Sequence, residues 1–94
     1  MRARWLRRAL QNLDEEAAYI ATDDPRAAAR TVQSIAISVA RLAAHPASGR
    51  AGRVPGTREL VLSGTPYIVA YRVRGETVEI LRVLHGARRW PEQL

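Results

Sequence analysis

The sequence predicts an α+β domain with a short N-terminal strand, an antiparallel two-helix hairpin and a three-stranded antiparallel β-meander. Three observations lead there. Apolar residues recur at helical spacing through the first half, and the period shortens to two in the second half. Between these regimes, residues 47–56 are rich in Gly, Pro and Arg and read as a loop. A chain of 94 residues has room for one core, so residues 1–94 are expected to form one domain.

Each element follows from its own pattern. Arg2 to Trp5 is short and strand-compatible. Leu6, Leu10, Leu13, Ala17, Ile20 and Ala21 then form the apolar stripe of a first helix that stops near Thr22, with Arg7, Arg8, Gln11, Asp14 and Glu15 on the opposite side. Asp24-Pro25 supplies an N-cap and a proline at the first helical position, where its missing N–H costs nothing. The second helix carries Ala28, Val32, Ile35, Ala36, Val39, Leu42 and Ala43 and ends at His45-Pro46, because proline disfavours helical geometry in the residue before it. A connection of about three residues makes the pair an antiparallel hairpin.

Thr57–Leu62, Tyr67–Arg74 and Thr77–His85 are strand-like, and Gly75-Glu76 reads as the centre of a two-residue turn. That turn sets Val73 opposite Val78, Arg72 opposite Glu79, Tyr71 opposite Ile80 and Val69 opposite Arg82. One sheet face then holds Ile68, Ala70, Arg72, Glu79, Leu81 and Val83. The other holds Tyr67, Val69, Tyr71, Val73, Val78, Ile80, Arg82 and Leu84. One helix hairpin covers one face, so the second apolar face is expected to be open and to need a protein partner.

Charge narrows the function classes. All fifteen basic residues are arginine. Residues 1–40 hold six Arg and five acids, net +1, whereas residues 41–94 hold nine Arg and four acids, net +5. The C-terminal half therefore favours an anionic partner, either nucleic acid or an acidic protein segment. Cysteine is absent and only His45 and His85 are available as imidazole ligands, which argues against a metal enzyme; no cofactor is expected. The N-terminus lacks an apolar signal core, and no stretch approaches the ~20 apolar residues of a spanning helix. A cytoplasmic location without a membrane partner is the expectation.

Three strings are more specific than this layout: Gly56-Thr57-Arg58-Glu59-Leu60-Val61, Tyr67-Ile68-Val69-Ala70-Tyr71-Arg72-Val73 and Val78-Glu79-Ile80-Leu81-Arg82-Val83-Leu84-His85. Together with Ala9-Leu10-x-x-Leu13 followed by Tyr19-Ile20, they make the chain resemble the RelE/ParE superfamily of toxins, closest to the ParE branch, over nearly its whole length. The resemblance implies the toxin of a type II toxin–antitoxin module, neutralised by a cognate antitoxin in a hetero-oligomer. A ParE-like member inhibits DNA gyrase and needs no catalysis. A RelE-like member instead cuts messenger RNA on the ribosome, which requires a proton acceptor, a proton donor and cationic stabilisation of the phosphate.

For the nuclease alternative the resemblance implies Arg58, His85 and Arg88 as the catalytic set. The arginine expected near the start of the third strand is replaced by Ile68, and the basic pair expected on the preceding strand is reduced to Arg58. A non-toxic basic binding module is a further alternative. Residues assigned to target or antitoxin binding are Arg50, Arg53, Arg82, Arg89 and Trp90. Each has a plainer role to weigh against this. Arg72 is expected to pair with Glu79. Arg82 is expected to meet either a partner's carboxylate or a helix acid such as Glu16. Arg50 and Arg53 are loop cations, His85 closes a strand, and Arg88-Arg89-Trp90 reads as a cation–aromatic cluster packed on the domain edge.

Overall fold

The computed structural model describes residues 1–94. The chain runs β1 (Arg2–Trp5), α1 (Arg7–Asp23), α2 (Pro25–Ala44), β2 (Arg50–Ala51), β3 (Arg58–Val61), β4 (Tyr67–Arg74) and β5 (Thr77–His85). The predicted meander β3–β4–β5 is present as the centre of a five-stranded mixed sheet of order β1-β5-β4-β3-β2. Two strands flank it, the expected N-terminal strand β1 and the unexpected β2. β1 lies parallel to β5, pairing Arg2 with Thr77 and Trp5 with Ile80. β2, inside the stretch read as a loop, pairs antiparallel with the start of β3.

The helices form where the apolar stripes place them. α1 has no side-chain cap at its start; instead Leu6 N–H donates to Ile80 O at 3.0 Å, so the strand ladder fixes where the helix begins. Its buried stripe is rotated slightly from the predicted one. Ala9 is fully buried, while Leu10 is 47% exposed. A single residue, Asp24, separates the two helices, and its carboxylate accepts from Ala27 N–H at 3.1 Å ahead of Pro25, the expected cap. α2 buries Ala28, Ile35, Val39 and Leu42 and stops at His45, whose N–H donates to Arg41 O.

The core lies between this hairpin and one sheet face. Ile35, Val39 and Leu42 from α2 and Ala9 from α1 cluster with Tyr67, Val69, Tyr71, Val78, Ile80 and Val83. Val83 corrects the register expected from the turn. Tyr71 pairs with Ile80 and Arg72 with Glu79 as predicted, but Ala70 pairs with Arg82 and Val69 with Val83. Leu81 is an extra residue on β5, a β-bulge that advances the strand by one position. Val83 and His85 thereby take the helix-facing slots that the unbroken register gives to Arg82 and Leu84. An arginine among Tyr67, Val69 and Ile80 would be desolvated without a counter-charge, which is the physical reason for the shift.

Arg82 leaves the core sideways. Beyond Ile80, β5 has no β1 residue beside it, and Asn12 of α1 fills the place. Asn12 Oδ1 accepts from Arg82 Nε at 2.8 Å and from the Val83 N–H at 3.1 Å. Glu16, the helix acid expected there, is engaged instead by Tyr67 and Arg88. The expected open apolar face is corrected as well. Ile68, Ala70 and Leu81 are at most 7% exposed within the single chain.

Tyr71 ties the sheet to the segment after α2. Its hydroxyl donates to Pro46 O and accepts from Gly49 N–H, both at 2.8 Å. Gly49 is required there, since an added Cβ would sit 2.5 Å from Tyr71 Oη. On the same face, Arg58 donates to Gly49 O at 2.9 Å and Ala47 O at 3.4 Å.

Three predictions rest on the ties of Tyr71 and on the Arg72–Glu79 pair. Tyr71→Phe leaves a buried N–H and a carbonyl unpaired and is expected to cost roughly 1–3 kcal/mol in urea unfolding, with the native fold retained. The second concerns acid stability. Arg72 Nε donates to Glu79 Oε1 at 2.7 Å. This hydrogen bond holds the Glu79 carboxyl below the ordinary glutamate range, against the opposing effect of burial and helped by the charges of Arg72, Arg74 and Arg4. A carboxyl depressed in the folded state contributes stability above its unfolded pKa and loses it as pH falls through the folded value. Arg72→Gln should flatten the acid limb of a stability–pH profile. The exchange Arg72→Glu with Glu79→Arg should recover only part of the loss caused by Arg72→Glu alone, because Arg74 and Arg4 would then face an arginine.

Candidate functional site

The bulge brings the end of β5 to the helices. His85 pairs with Tyr67 across the hairpin, and their rings meet edge-on at 5.8 Å and 83°. The Tyr67 hydroxyl donates to Glu16 Oε2 at 3.0 Å, and Arg88 Nη1 donates to Glu16 Oε1 at 2.6 Å. Glu16, only 12% exposed, therefore joins the hairpin and the C-terminal segment to α1. Burial, the Glu16 hydrogen bond and the Glu16 charge push the Tyr67 hydroxyl up to about 12. At neutral pH Tyr67 is a hydrogen-bond donor and no base.

After His85 the chain folds tightly back. Gly86 N–H donates to Pro66 O at 2.8 Å, and Arg88 N–H and Trp90 Nε1 both donate to His85 O, at 3.1 and 3.3 Å. Ala87 N–H donates to His85 Nδ1 at 3.2 Å, which leaves the proton of the neutral ring on Nε2. Arg8 Nη1 reaches Leu94 O at 3.1 Å. The terminal segment is thus fastened to α1 at Glu16 and at Arg8.

Its other attachment crosses the sheet. Glu59 on β3 stands opposite Ala70, on the face away from the helices, and is 3% exposed. Its carboxylate accepts from Arg50 Nη2 at 3.2 Å and from Arg53 N–H at 2.8 Å. The Arg53 guanidinium in turn lies 3.7 Å over the Trp90 ring. The cation stacked on Trp90 is therefore Arg53, from a distant loop, while Arg88 faces the Tyr19 ring at 5.9 Å. This corrects the reading of Arg88-Arg89-Trp90 as one self-contained cluster. Burying a carboxylate is tolerable only with such a full set of partners.

The predicted residues accordingly sort into three places. Arg50, Arg53 and Trp90 share one surface, with the Arg50 and Arg53 side chains 57% and 48% exposed, and Arg89 is exposed on the adjoining terminal segment. Arg82 is half-buried against Asn12 on the α1 side. Of the nuclease set, His85 and Arg88 are neighbours, but Arg58 is elsewhere. It pairs with Tyr71, four positions along β4 from the Tyr67 that faces His85, and two strand spacings away. Standard strand dimensions make that a separation of about 16 Å. Arg58 is also tied to the 47–49 segment, and Ile68 is buried.

Sequence reasoning missed Glu59 and Asn12 as organisers of this region and offered Glu16 to Arg82, where the structure gives it Arg88. Glu59 carried an audible signal, a carboxylate within an apolar strand. Asn12 and Glu16 sat on the apparent polar side of α1 and were indistinguishable there from solvated neighbours. A separate groove of about 510 Å³ runs between α2 and β3, lined by Ile37, Leu60, Val61 and Leu62 with Arg41 and His45. Ile37 and Val61 are 46% and 52% exposed in it.

Comparison with known proteins agrees with this architecture. The family described as ParE toxin of type II toxin–antitoxin system, parDE, matches residues 3–90. The toxin-named protein Y4kP of Sinorhizobium fredii (strain NBRC 101917 / NGR234) is 55% identical over 93 residues, covering 99% of this chain and 96% of the relative. Toxin RelE2 of Caulobacter vibrioides (strain ATCC 19089 / CIP 103742 / CB 15) is 36% identical over 84 residues, 89% of this chain and 93% of its own. A solved structure of the chromosomal ParDE TA system from P. aeruginosa superposes with a TM-score of 0.80 at 34% identity, covering 90% of this chain and 95% of that one. With its fold, its strand strings and these relatives in agreement, the chain belongs to the ParE toxin family of type II toxin–antitoxin systems.

Proposed function

We propose that this toxin arrests growth by binding DNA gyrase, as a non-catalytic inhibitor, and that a cognate antitoxin neutralises it. The observation that carries this reading is the dispersal of the nuclease set. In-line attack of a 2′-hydroxyl needs acid, base and cation at one phosphate, within hydrogen-bond reach of it. Arg58 lies ~16 Å from His85 by strand geometry and is committed to the Gly49 carbonyl. Arg88 is neutralised by Glu16, Tyr67 is held protonated, and Ile68 offers hydrocarbon where a phosphorane needs charge. The surface where the 50–53 segment meets the C-terminal segment, with Arg50, Arg53, Arg89 and Trp90, supports binding instead. The apolar groove beside Ile37 and Val61, rimmed by Arg41, suits an amphipathic acidic segment of an antitoxin. Both partners would be met in the cytoplasm.

Two observations favour the RelE-like alternative: His85 and Arg88 are close together, and a relative bears the RelE name. The two readings separate cleanly in cells. The gyrase reading expects induction to block replication and trigger the DNA-damage response while translation continues, and purified toxin to inhibit supercoiling with no RNA present. Trp90→Ala should weaken that inhibition about tenfold or more with the fold intact, since the stacked pair itself contributes only about 0.5–1 kcal/mol. Ribosome-bound messenger fragments appearing before any DNA damage, and lost by about 10²–10⁴ in rate on His85→Ala, would establish the nuclease instead.

A further inference from the structure

At the sheet end opposite the C-terminal segment, four arginines share one face. The paired register gives two rows across β1, β5 and β4: Arg4–Glu79–Arg72, and beside it Arg2–Thr77–Arg74. Residues paired across strands point to the same side, so all six side chains lie on the face away from the helices. Strand and residue spacings make the array about 7 by 10 Å between arginine Cα atoms. Glu79 is its only carboxylate, bonded to Arg72 at 2.7 Å and lying 3.7 Å from Arg74 Nε. Four positive charges against Glu79, with exposed Glu76 in the adjoining turn, leave a local excess of two. Arg2 and Arg4 are exposed on the outermost strand, and the Arg74 side chain is 67% exposed. The proposed toxic surface uses none of them.

We infer that this array is a contact surface for the sugar–phosphate backbone of duplex DNA, with Arg2, Arg4 and Arg74 as the phosphate ligands and Arg72 locked beneath them by Glu79. Two features select nucleic acid over an acidic protein segment. The shallow depression at the array is lined by Arg2, Ala3, Arg4, Arg74, Thr77 and Glu79, with one methyl group as its only apolar side chain. A peptide needs an apolar centre to bury, as the α2–β3 groove provides, whereas phosphate contacts need only cations and hydroxyls. The spacing is also suited to a polyanion. Each strand of duplex DNA carries one charge per roughly 3.4 Å of axis, so an array of this width faces about two or three successive phosphates. Arginine's planar fork binds phosphate oxygens two at a time.

The choice of DNA over RNA rests on the gyrase reading, since gyrase is itself bound to duplex. The test needs no gyrase, so its failure leaves that reading standing. Binding of the full-length protein to a labelled duplex of about 20 base pairs is measured by fluorescence anisotropy between roughly 50 and 200 mM salt. Arg4→Gln with Arg74→Gln should lower affinity about tenfold and reduce the slope of log affinity against log salt by about 2. The matched control Arg26→Gln with Arg30→Gln, on exposed positions of α2, removes the same charge and should leave both nearly unchanged. Arg4→Lys with Arg74→Lys should retain most of the binding, and thermal melts should confirm that all variants fold. Equal losses in array and control variants would reduce the effect to net charge and overturn the assignment. So would tighter binding of an RNA duplex of the same length, or array variants that lose binding to polyglutamate while keeping DNA.

Discussion

The extra residue in β5 governs the geometry of half the molecule. Up to Ile80 the β4–β5 hairpin follows the register its turn dictates. Had that register continued, Arg82 would enter the core beside Val69, and Leu84 would face the helices in place of His85. Desolvating a guanidinium among Tyr67, Val69 and Ile80 would cost several kcal/mol without a counter-charge. Leu81 as a bulge exchanges the faces, so Val83 completes the core and His85 meets the Tyr67 ring. The same shift frees the Val83 N–H at the edge where β1 has ended, and Asn12 accepts it. One inserted position thus decides the core, the docking of α1 and the departure angle of the C-terminal segment.

A second constraint is the scarcity of carboxylates near the sheet. Glu16, Glu59 and Glu79 are all largely buried and each gathers more than one partner, those of Glu59 and Glu79 from nearby in the chain and those of Glu16 from far away. Glu59 collects Arg50 and Arg53, Glu79 collects Arg72 and Arg74, and Glu16 collects Arg88 and the Tyr67 hydroxyl. Pairs this shielded are costly to break from one side, because the remaining charge stays buried. The arginine excess is therefore divided. Some guanidiniums are structural ties, and those on the sheet ends and the terminal segment remain exposed. Arg53 serves in both capacities, its N–H bonded to Glu59 and its guanidinium stacked on the Trp90 indole.

Much of this was legible beforehand. The helical and strand periods, the Asp24-Pro25 cap, the proline stop after His45 and the Gly75-Glu76 turn are local signals, and each element stands where they put it. The Arg72–Glu79 pair was equally readable, because it lies between the turn and the bulge. Family membership was readable too, since strings such as Tyr71-Arg72-Val73 and Val78 to His85 are contiguous in the chain.

Tertiary structure alone decided what depends on long-range desolvation. Nothing local to Leu81 marks it as the extra residue; only the cost of placing Arg82 under the helices does. The parallel addition of β1 to β5 joins residues far apart in the chain, and no turn signal announces it. Arg53 over Trp90, Arg88 on Glu16 and Arg58 on the 47–49 segment likewise depend on which side of the sheet each backbone segment reaches. The sequence determined that arginines and a few carboxylates would meet. Which arginine meets which carboxylate was decided by packing, because every guanidinium carries the same charge and only distance distinguishes them.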